Sequence, residues 1–409
     1  MTAAIPWTCP FCTLLCDDHG VAAAGGRLSL AGSDCPTAVR ALEHFDPIPA
    51  DGTPTVDGRA VDYDEALAAA AAILAASRQP LFGGLATDVA GARSLYRLAD
   101  ACGAILDHVH GEALTAGLRA LQDRGAFTTT LAEIRNRADL IVCIGTDPAE
   151  NYPEFFRRCA PASEAARRRR VVFLGAAPQD EGSESLAPDG DLFAAVAGLA
   201  ARLAGRRVVL GGGLDGLAQR MQAAAYTVLV WEPARLPAQG ALIAEALQRI
   251  ANILNRTTRA ATFCLGGGDG GVAANQAVAW LSGLPLRSGV HARGLVHDPL
   301  RYATGRLLAD RAVDALLWVA SFDPSQAPPA AGLPRVVLGH PGLAAVLAGQ
   351  RDTVFIPVST PGIGSAGHLF RTDGVVVVPL TALYADRLPT VARVAADLAA
   401  RLPARGARQ

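Results

Sequence analysis

The chain has 409 residues, of which 51% are hydrophobic, 18% charged and 5% aromatic. That is too long for one ordinary core and too apolar for disorder, so roughly two to four packed units are expected. A formal net charge of -1 gives no global field toward nucleic acid or an anionic membrane. Every basic residue other than histidine is arginine, which excludes a Schiff-base or P-loop lysine mechanism.

Residues 1 to about 50 are short, turn-rich segments that carry four of the eight cysteines. No opening stretch has the layout of a secretory signal, and no apolar run reaches about 18 residues, so a cytoplasmic protein without a membrane span is expected. In that compartment cysteines read as metal ligands or buried thiols rather than as a disulfide frame. In "CPFCTLLCDD", Cys9, Cys12 and Cys16 give C-x2-C-x3-C, and Cys35 follows at a distance compatible with a fourth ligand. Three thiolates on one tight loop and a fourth from a neighbouring turn suit a [4Fe-4S] cube. Zinc is the alternative metal, although zinc modules usually pair C-x2-C twice. Four free thiols in a remnant loop are the reading without a metal. Cys102, Cys143, Cys159 and Cys264 are scattered, and Cys143 and Cys264 fall in apolar runs, as packing residues would.

"EALAAAAAILAAS" (Glu65 to Ser77) reads as a buried helix. Beyond it, apolar runs at 80–86, 138–148, 169–178, 227–234, 261–271, 313–324, 334–342 and 352–360 alternate with alanine-rich helical segments. Continuous rather than alternating apolar runs are those of parallel strands covered on both faces, so the expected fold class is α/β with Rossmann-like units. "ARRRR", ending at Arg170, reads as a solvated helix end. "LGGGLDGLAQ" and "LGGGDGG" contain glycine clusters, but neither fits G-x-G-x-x-G with an acidic residue about 20 positions on.

The cysteine opening followed by an α/β body resembles the molybdopterin- or tungstopterin-dependent oxidoreductases, and among them the B subunit of formylmethanofuran dehydrogenase. "CPFCTLLCDD" looks like that protein's opening. "ADLIVCIGTDPAENYPEFFRR" looks like its A-D-x-I-x-x-x-G-x-N-P-x-x-x-x-P segment, and "VDALLWVASFDP" and "HLFRTDGVVVVPL" are similar to its late segments. The resemblance implies a cysteine-rich module at 1–55, a discontinuous α/β domain at 56–135 and 271–409, and a Rossmann-like domain at 136–270. It also implies a pterin cleft at His110, Gly111, Gly145 and Asp147.

Three departures from the catalytic pattern bear on function. In that family a cysteine or selenocysteine binding tungsten or molybdenum precedes a His-Gly pair, whereas "LDHVHGEAL" keeps His110 and Gly111 and has Val109 in the ligand position. An isopropyl group cannot bind a metal. The basic residue that commonly follows the fourth cluster cysteine is replaced by Pro36 and Thr37. Asp147 stands where the family has Asn, which would bring an anion near an anionic pterin pyrophosphate.

A preserved scaffold with a lost metal ligand resembles the B subunit of the formyltransferase/hydrolase complex of methylotrophic bacteria. The resemblance implies a non-catalytic core subunit with no catalytic residue of its own and no tungsten or molybdenum pterin. Its partners would be a hydrolase-like A subunit, a C subunit and a transferase D subunit. In that complex formyl groups pass from formyl-tetrahydromethanopterin through a methanofuran-like carrier to formate. Two alternatives remain open: a dehydrogenase subunit using His108 or His110 on the metal, and a module holding the polyglutamylated carrier through Arg293, Arg301 or Arg371, with His291 nearby.

Overall fold

The computed structural model describes residues 4–24, 27–45, 52–162, 168–180, 182–188, 190–291 and 294–403. The chain divides into two units: Met1–Gly111 with Gly267–Arg371 and Val377–Gln409, and Glu112–Gly266 with Thr372–Val376. All eight apolar runs read from the sequence contain a strand, and the fold is α/β.

The first unit holds a nine-stranded sheet. Its centre is parallel, in the order Ile105–Leu106, Pro80–Ala86, Ala315–Ala320, Arg335–Gly339 and Thr353–Pro357. Antiparallel pairs close both edges: Ser288–His291 with Gly294–His297 on one side, Thr55–Val56 with Arg59–Ala60 on the other. These edge strands are too short to carry a periodic signal in the sequence. The predicted buried helix spans Tyr63–Ala76, and its first turn is capped by Asp62, whose carboxylate accepts from the Glu65 amide. Leu67, Ala70, Ala71 and Leu74 form its buried stripe.

The cysteine-bearing opening belongs to this unit. Ile5–Trp7, His19–Ala24 and Arg27–Ala31 form a three-stranded antiparallel sheet. Trp7, Cys9, Val21, Cys35, Ala38, Leu42 and Phe45 share an apolar cluster with Ile363, and Trp7 Nε1 donates to the Gly362 carbonyl at 2.8 Å. Those contacts reach across most of the chain, which is why 1–55 groups with the first unit.

The second unit is a five-stranded parallel sheet in the order Glu184–Leu186, Arg170–Leu174, Leu140–Ile144, Tyr226–Trp231, Arg259–Cys264. The chain starts in the middle, runs to one edge, returns and runs to the other. Helices Leu192–Leu203, Leu214–Ala223 and Gly240–Leu254 bury Leu199, Leu217 and Leu247 against Val142, Leu174 and Leu229. This unit begins at Glu112, ahead of the boundary at 135/136 read from the sequence. The link between Thr128 and Thr262, and the Phe127 amide donating to Gln248 Oε1 at 3.0 Å, tie the segment before 136 to the last strand of this sheet.

Arg169 does more than solvate a helix end. Its guanidinium donates to the carbonyls of Ala138 at 2.8 Å, Cys159 at 2.5 Å, Arg135 at 3.2 Å and Ile134, neutralising the C-terminus of helix Leu131–Arg137. Burial lowers its pKa, with the Cys159 thiol acting the other way. Among the described residues no helix is long and apolar enough to cross a membrane.

Candidate functional site

The N-terminal loop gathers the four predicted cysteines. The Cys9 amide donates to the Cys16 carbonyl at 2.9 Å and the Leu15 amide to the Cys12 carbonyl at 3.2 Å, a tight turn in which Leu15 takes φ 45°. Cys35 caps helix Pro36–Leu42, with the Val39 amide bonded to its carbonyl. Cys9, Cys16 and Cys35 are buried and Cys12 is half-buried. Burial pushes the Cys9 thiol well above its ordinary value, and the neighbouring Cys12, Cys16 and Cys35 push it further, so the other three sulfurs are within electrostatic reach of Cys9. Four soft donors in one loop-and-helix pocket fit an iron–sulfur cluster as a donor set.

His108, Val109 and His110 follow strand Ile105–Leu106 of the first unit. The Val109 amide donates to the Gly84 carbonyl at 2.9 Å, and its side chain packs against the cluster of Leu81, Ile105, Leu316 and Trp318. The isopropyl group is therefore an apolar packing element, and the residues here do not fit a protein ligand for tungsten or molybdenum.

His108 is engaged at both nitrogens. Its Nδ1 accepts from the His110 amide at 3.0 Å, which fixes the proton on Nε2, and Nε2 donates to the Asp269 carbonyl at 3.2 Å. Burial, and then His110, push its pKa down to about 4, against the pull of Asp269. His108 is a neutral ring at pH 7. His110 Nε2 lies 2.8 Å from Asp269 Oδ2, which also accepts from Gln326 Nε2 at 2.7 Å. Burial opposes charge on Asp269, but hydrogen bonds from His110 and Gln326 outweigh it and hold the carboxyl below the usual range.

Under this loop lies a buried ion pair. Asp107 Oδ1 accepts from Arg287 Nε at 3.2 Å and from the His108 amide at 3.0 Å, and its Oδ2 accepts from both the amide and hydroxyl of Thr304 at 2.8 Å. Burial raises the Asp107 pKa, with Arg287 the main opposing influence. Gly111, expected in a cleft, is required by this packing: a Cβ there would stand 2.1 Å from Asp107 Oδ1.

Gly145 and Asp147 belong to the second unit, at the carboxyl end of strand Leu140–Ile144, where the strand order reverses. Gly145 has φ 65°, which turns the chain sharply off the strand. The Asp147 carboxylate is 2% exposed and committed to backbone: Oδ1 accepts from the Ala149 amide at 2.9 Å and Oδ2 from the Gln179 amide at 2.8 Å. Beside it Glu232 accepts from Thr146 Oγ1 at 3.0 Å and Asn151 Nδ2 at 2.8 Å, and burial raises its pKa. Sequence reasoning missed Asp269, Gln326, Asp107, Arg287 and Glu232. Asp269 alone had a visible cue, an acidic residue in a glycine run, where it takes φ 53°.

His291 Nε2 contacts the Tyr302 hydroxyl at 2.9 Å, and the Arg301 amide donates to Asp298 Oδ1 at 2.8 Å. Arg293 lies outside the described residues. Cys143 and Cys159 are buried in the second unit; burial raises the Cys143 thiol well above its usual value and pushes Cys264 up to about 12.

No family model matches the chain. It is 34% identical over 355 residues to the B subunit of the formyltransferase/hydrolase complex Fhc of Methylorubrum extorquens, covering 85% of this chain and 96% of that protein. The B subunit of the tungsten-containing formylmethanofuran dehydrogenase 2 of Methanocaldococcus jannaschii is 28% identical over 169 residues, 40% of this chain and 39% of that one. Among solved structures, the X-ray crystal structure of the formyltransferase/hydrolase complex FhcABCD from Methylorubrum extorquens with methylofuran matches at a TM-score of 0.76 and 34% identity. That match covers 85% of this chain and 98% of the matched one. With this identity over nearly the full length of the relative, and an α/β fold that matches it, the chain belongs to the family of B subunits of formyltransferase/hydrolase complexes.

Proposed function

We propose that the chain is a non-catalytic core subunit of a formyltransferase/hydrolase complex, assembling with hydrolase (A), C and transferase (D) subunits. That complex would move formyl groups from formyl-tetrahydromethanopterin through a methanofuran-like carrier to formate. The observation that carries this reading is Val109: an apolar packing residue stands where the resembling dehydrogenases have their metal-binding sulfur. The molybdopterin-oxidoreductase-like architecture would then serve assembly, in the cytoplasm, with the cleft residues retained as scaffold.

The remaining donors support the same reading. His108 uses both ring nitrogens inside the protein, and His110 spends Nε2 on Asp269. Recruiting those nitrogens to a metal would break a partly buried network, which disfavours the dehydrogenase alternative. Asp147 works as a backbone clamp, and its buried anion is a poor neighbour for a pyrophosphate. Cys9, Cys12, Cys16 and Cys35 offer thiol donors of the kind that hold an iron–sulfur cluster, which when bound supplies single-electron storage, or a zinc-class ion; the role proposed for this subunit depends on neither.

The test is co-expression with the A, C and D subunits. A tagged chain is expected to retrieve all three in fixed proportion, and His110→Ala is expected to leave formyl flux through the assembled complex within about twofold. Loss of flux with the complex intact, or viologen reduction by a formylated carrier, contradicts the proposal.

A further inference from the structure

Beside the cysteine turn stands an imidazole with nothing to bond. His19 opens the strand paired with Trp7, is 5% exposed, and has no hydrogen-bond partner at either ring nitrogen. A neutral imidazole carries one donor and one acceptor, and leaving both unmet inside a protein is costly enough that such groups are rare. The buried Thr13 hydroxyl in the same turn is likewise without a partner.

What surrounds the ring is a donor set. His19 Nδ1 is 3.7 Å from Asp18 Oδ1, too long for a hydrogen bond. A ring nitrogen, an Asp18 carboxylate oxygen and Cys16 Sγ all lie within 4.8 Å of one another. Bonds of about 2.0–2.3 Å in a tetrahedral site put donors roughly 3.5 Å apart, so a modest contraction closes the set around one ion. The Asp18 side chain is exposed, whereas Cys16 and His19 are buried.

We propose that Cys16, His19 and Asp18 hold a mononuclear divalent ion of the zinc class. Thiolate, imidazole and carboxylate together select zinc or cobalt over magnesium or calcium, which take oxygen ligands. A four-cysteine cube also needs Cys16, so ion and cube compete for one sulfur. The site would be structural, tying the start of the strand His19–Ala24 to the turn before it, and its existence does not depend on the subunit role proposed above.

The experiment uses the full chain, purified under reducing conditions with chelator, then titrated with cobalt and back-titrated with zinc. The expected result is one equivalent of cobalt with a thiolate charge-transfer band and the visible bands of a tetrahedral ion, all displaced by zinc. His19→Phe, which keeps the site apolar and filled, is expected to change the visible bands and weaken cobalt binding at least about tenfold, a loss as large as that of a supporting ligand. His19→Asn makes the same comparison if the phenylalanine variant fails to fold by circular dichroism. The proposal is overturned if the wild-type chain takes up no cobalt, if the His19 variants bind with unchanged spectrum and affinity, or if a reconstituted iron–sulfur cluster resists excess zinc.

Discussion

His110 Nε2 and Asp269 Oδ2 stand 2.8 Å apart, joining the loop after strand Ile105–Leu106 to the glycine-rich turn before helix Gly271–Ser282. The pair closes a small network that includes His108 and Gln326, and each member restrains the next. Asp269→Asn removes the charge from this network, and a loss of about 1–3 kcal/mol in unfolding free energy is expected by urea titration. Assembly with the other subunits should persist. No change in stability would mean that the contact adds nothing to the fold.

Two histidines make the protein acid-sensitive. Burial and His110 push His108 to about 4, and burial and His44 push His340 to about 4, each from an ordinary 6.5. The unfolded chain therefore binds more protons than the native one between these values, and stability rises with pH across that window. Acidification from pH 7 toward 4 is expected to remove up to about 3 kcal/mol per histidine, with little further loss from these groups below pH 4. His340→Asn should flatten the pH dependence of the urea midpoint between roughly pH 6.5 and 4, and an unchanged slope would exclude His340 as a cause.

The Asp107–Arg287 pair is nearly inaccessible, with side chains 2% and 3% exposed. Arg287→Met leaves the Asp107 carboxylate buried without its cation, and a cost of about 3–5 kcal/mol is expected. Gly111→Ala should approach that figure from the other side, because its methyl would displace Asp107 Oδ1. Thermal melts of both variants check this, and a combined effect well short of the sum of the two would show that they act on the same contact.

Trp7 anchors the cysteine turn to the rest of its unit through the Gly362 carbonyl and an apolar cluster. Trp7→Ala is expected to cost about 3–5 kcal/mol and to loosen residues 9–16 first. Hydrogen exchange would show this as faster exchange of the Cys9 and Leu15 amides, whose bonds hold the turn. Uniform loss of protection across the unit would instead mean that the turn is not a separable piece.

The parallel core is legible because strands covered on both faces spell continuous apolar runs, and all eight such runs contain strands. The antiparallel edges are not, since two-residue strands such as Thr55–Val56 carry no periodicity. The cysteine nest is visible from spacing alone, whereas nothing in the spacing singles out His19, three positions after Cys16. Its significance lies in burial without a hydrogen bond, which a sequence does not display. Asp147 reads from the sequence as an anion facing a cofactor; its clamp on the Gln179 amide depends on a loop more than thirty residues away. Asp107 and Arg287 are 180 positions apart, and nothing local marks them as partners.

Val109 is proposed to end pterin–metal chemistry in this subunit. Elemental analysis of the assembled complex, purified from cells supplied with both tungstate and molybdate, tests it most directly. The account predicts neither tungsten nor molybdenum above trace against the chain. About one atom of either per chain, surviving gel filtration, would contradict it and make the subunit a working dehydrogenase.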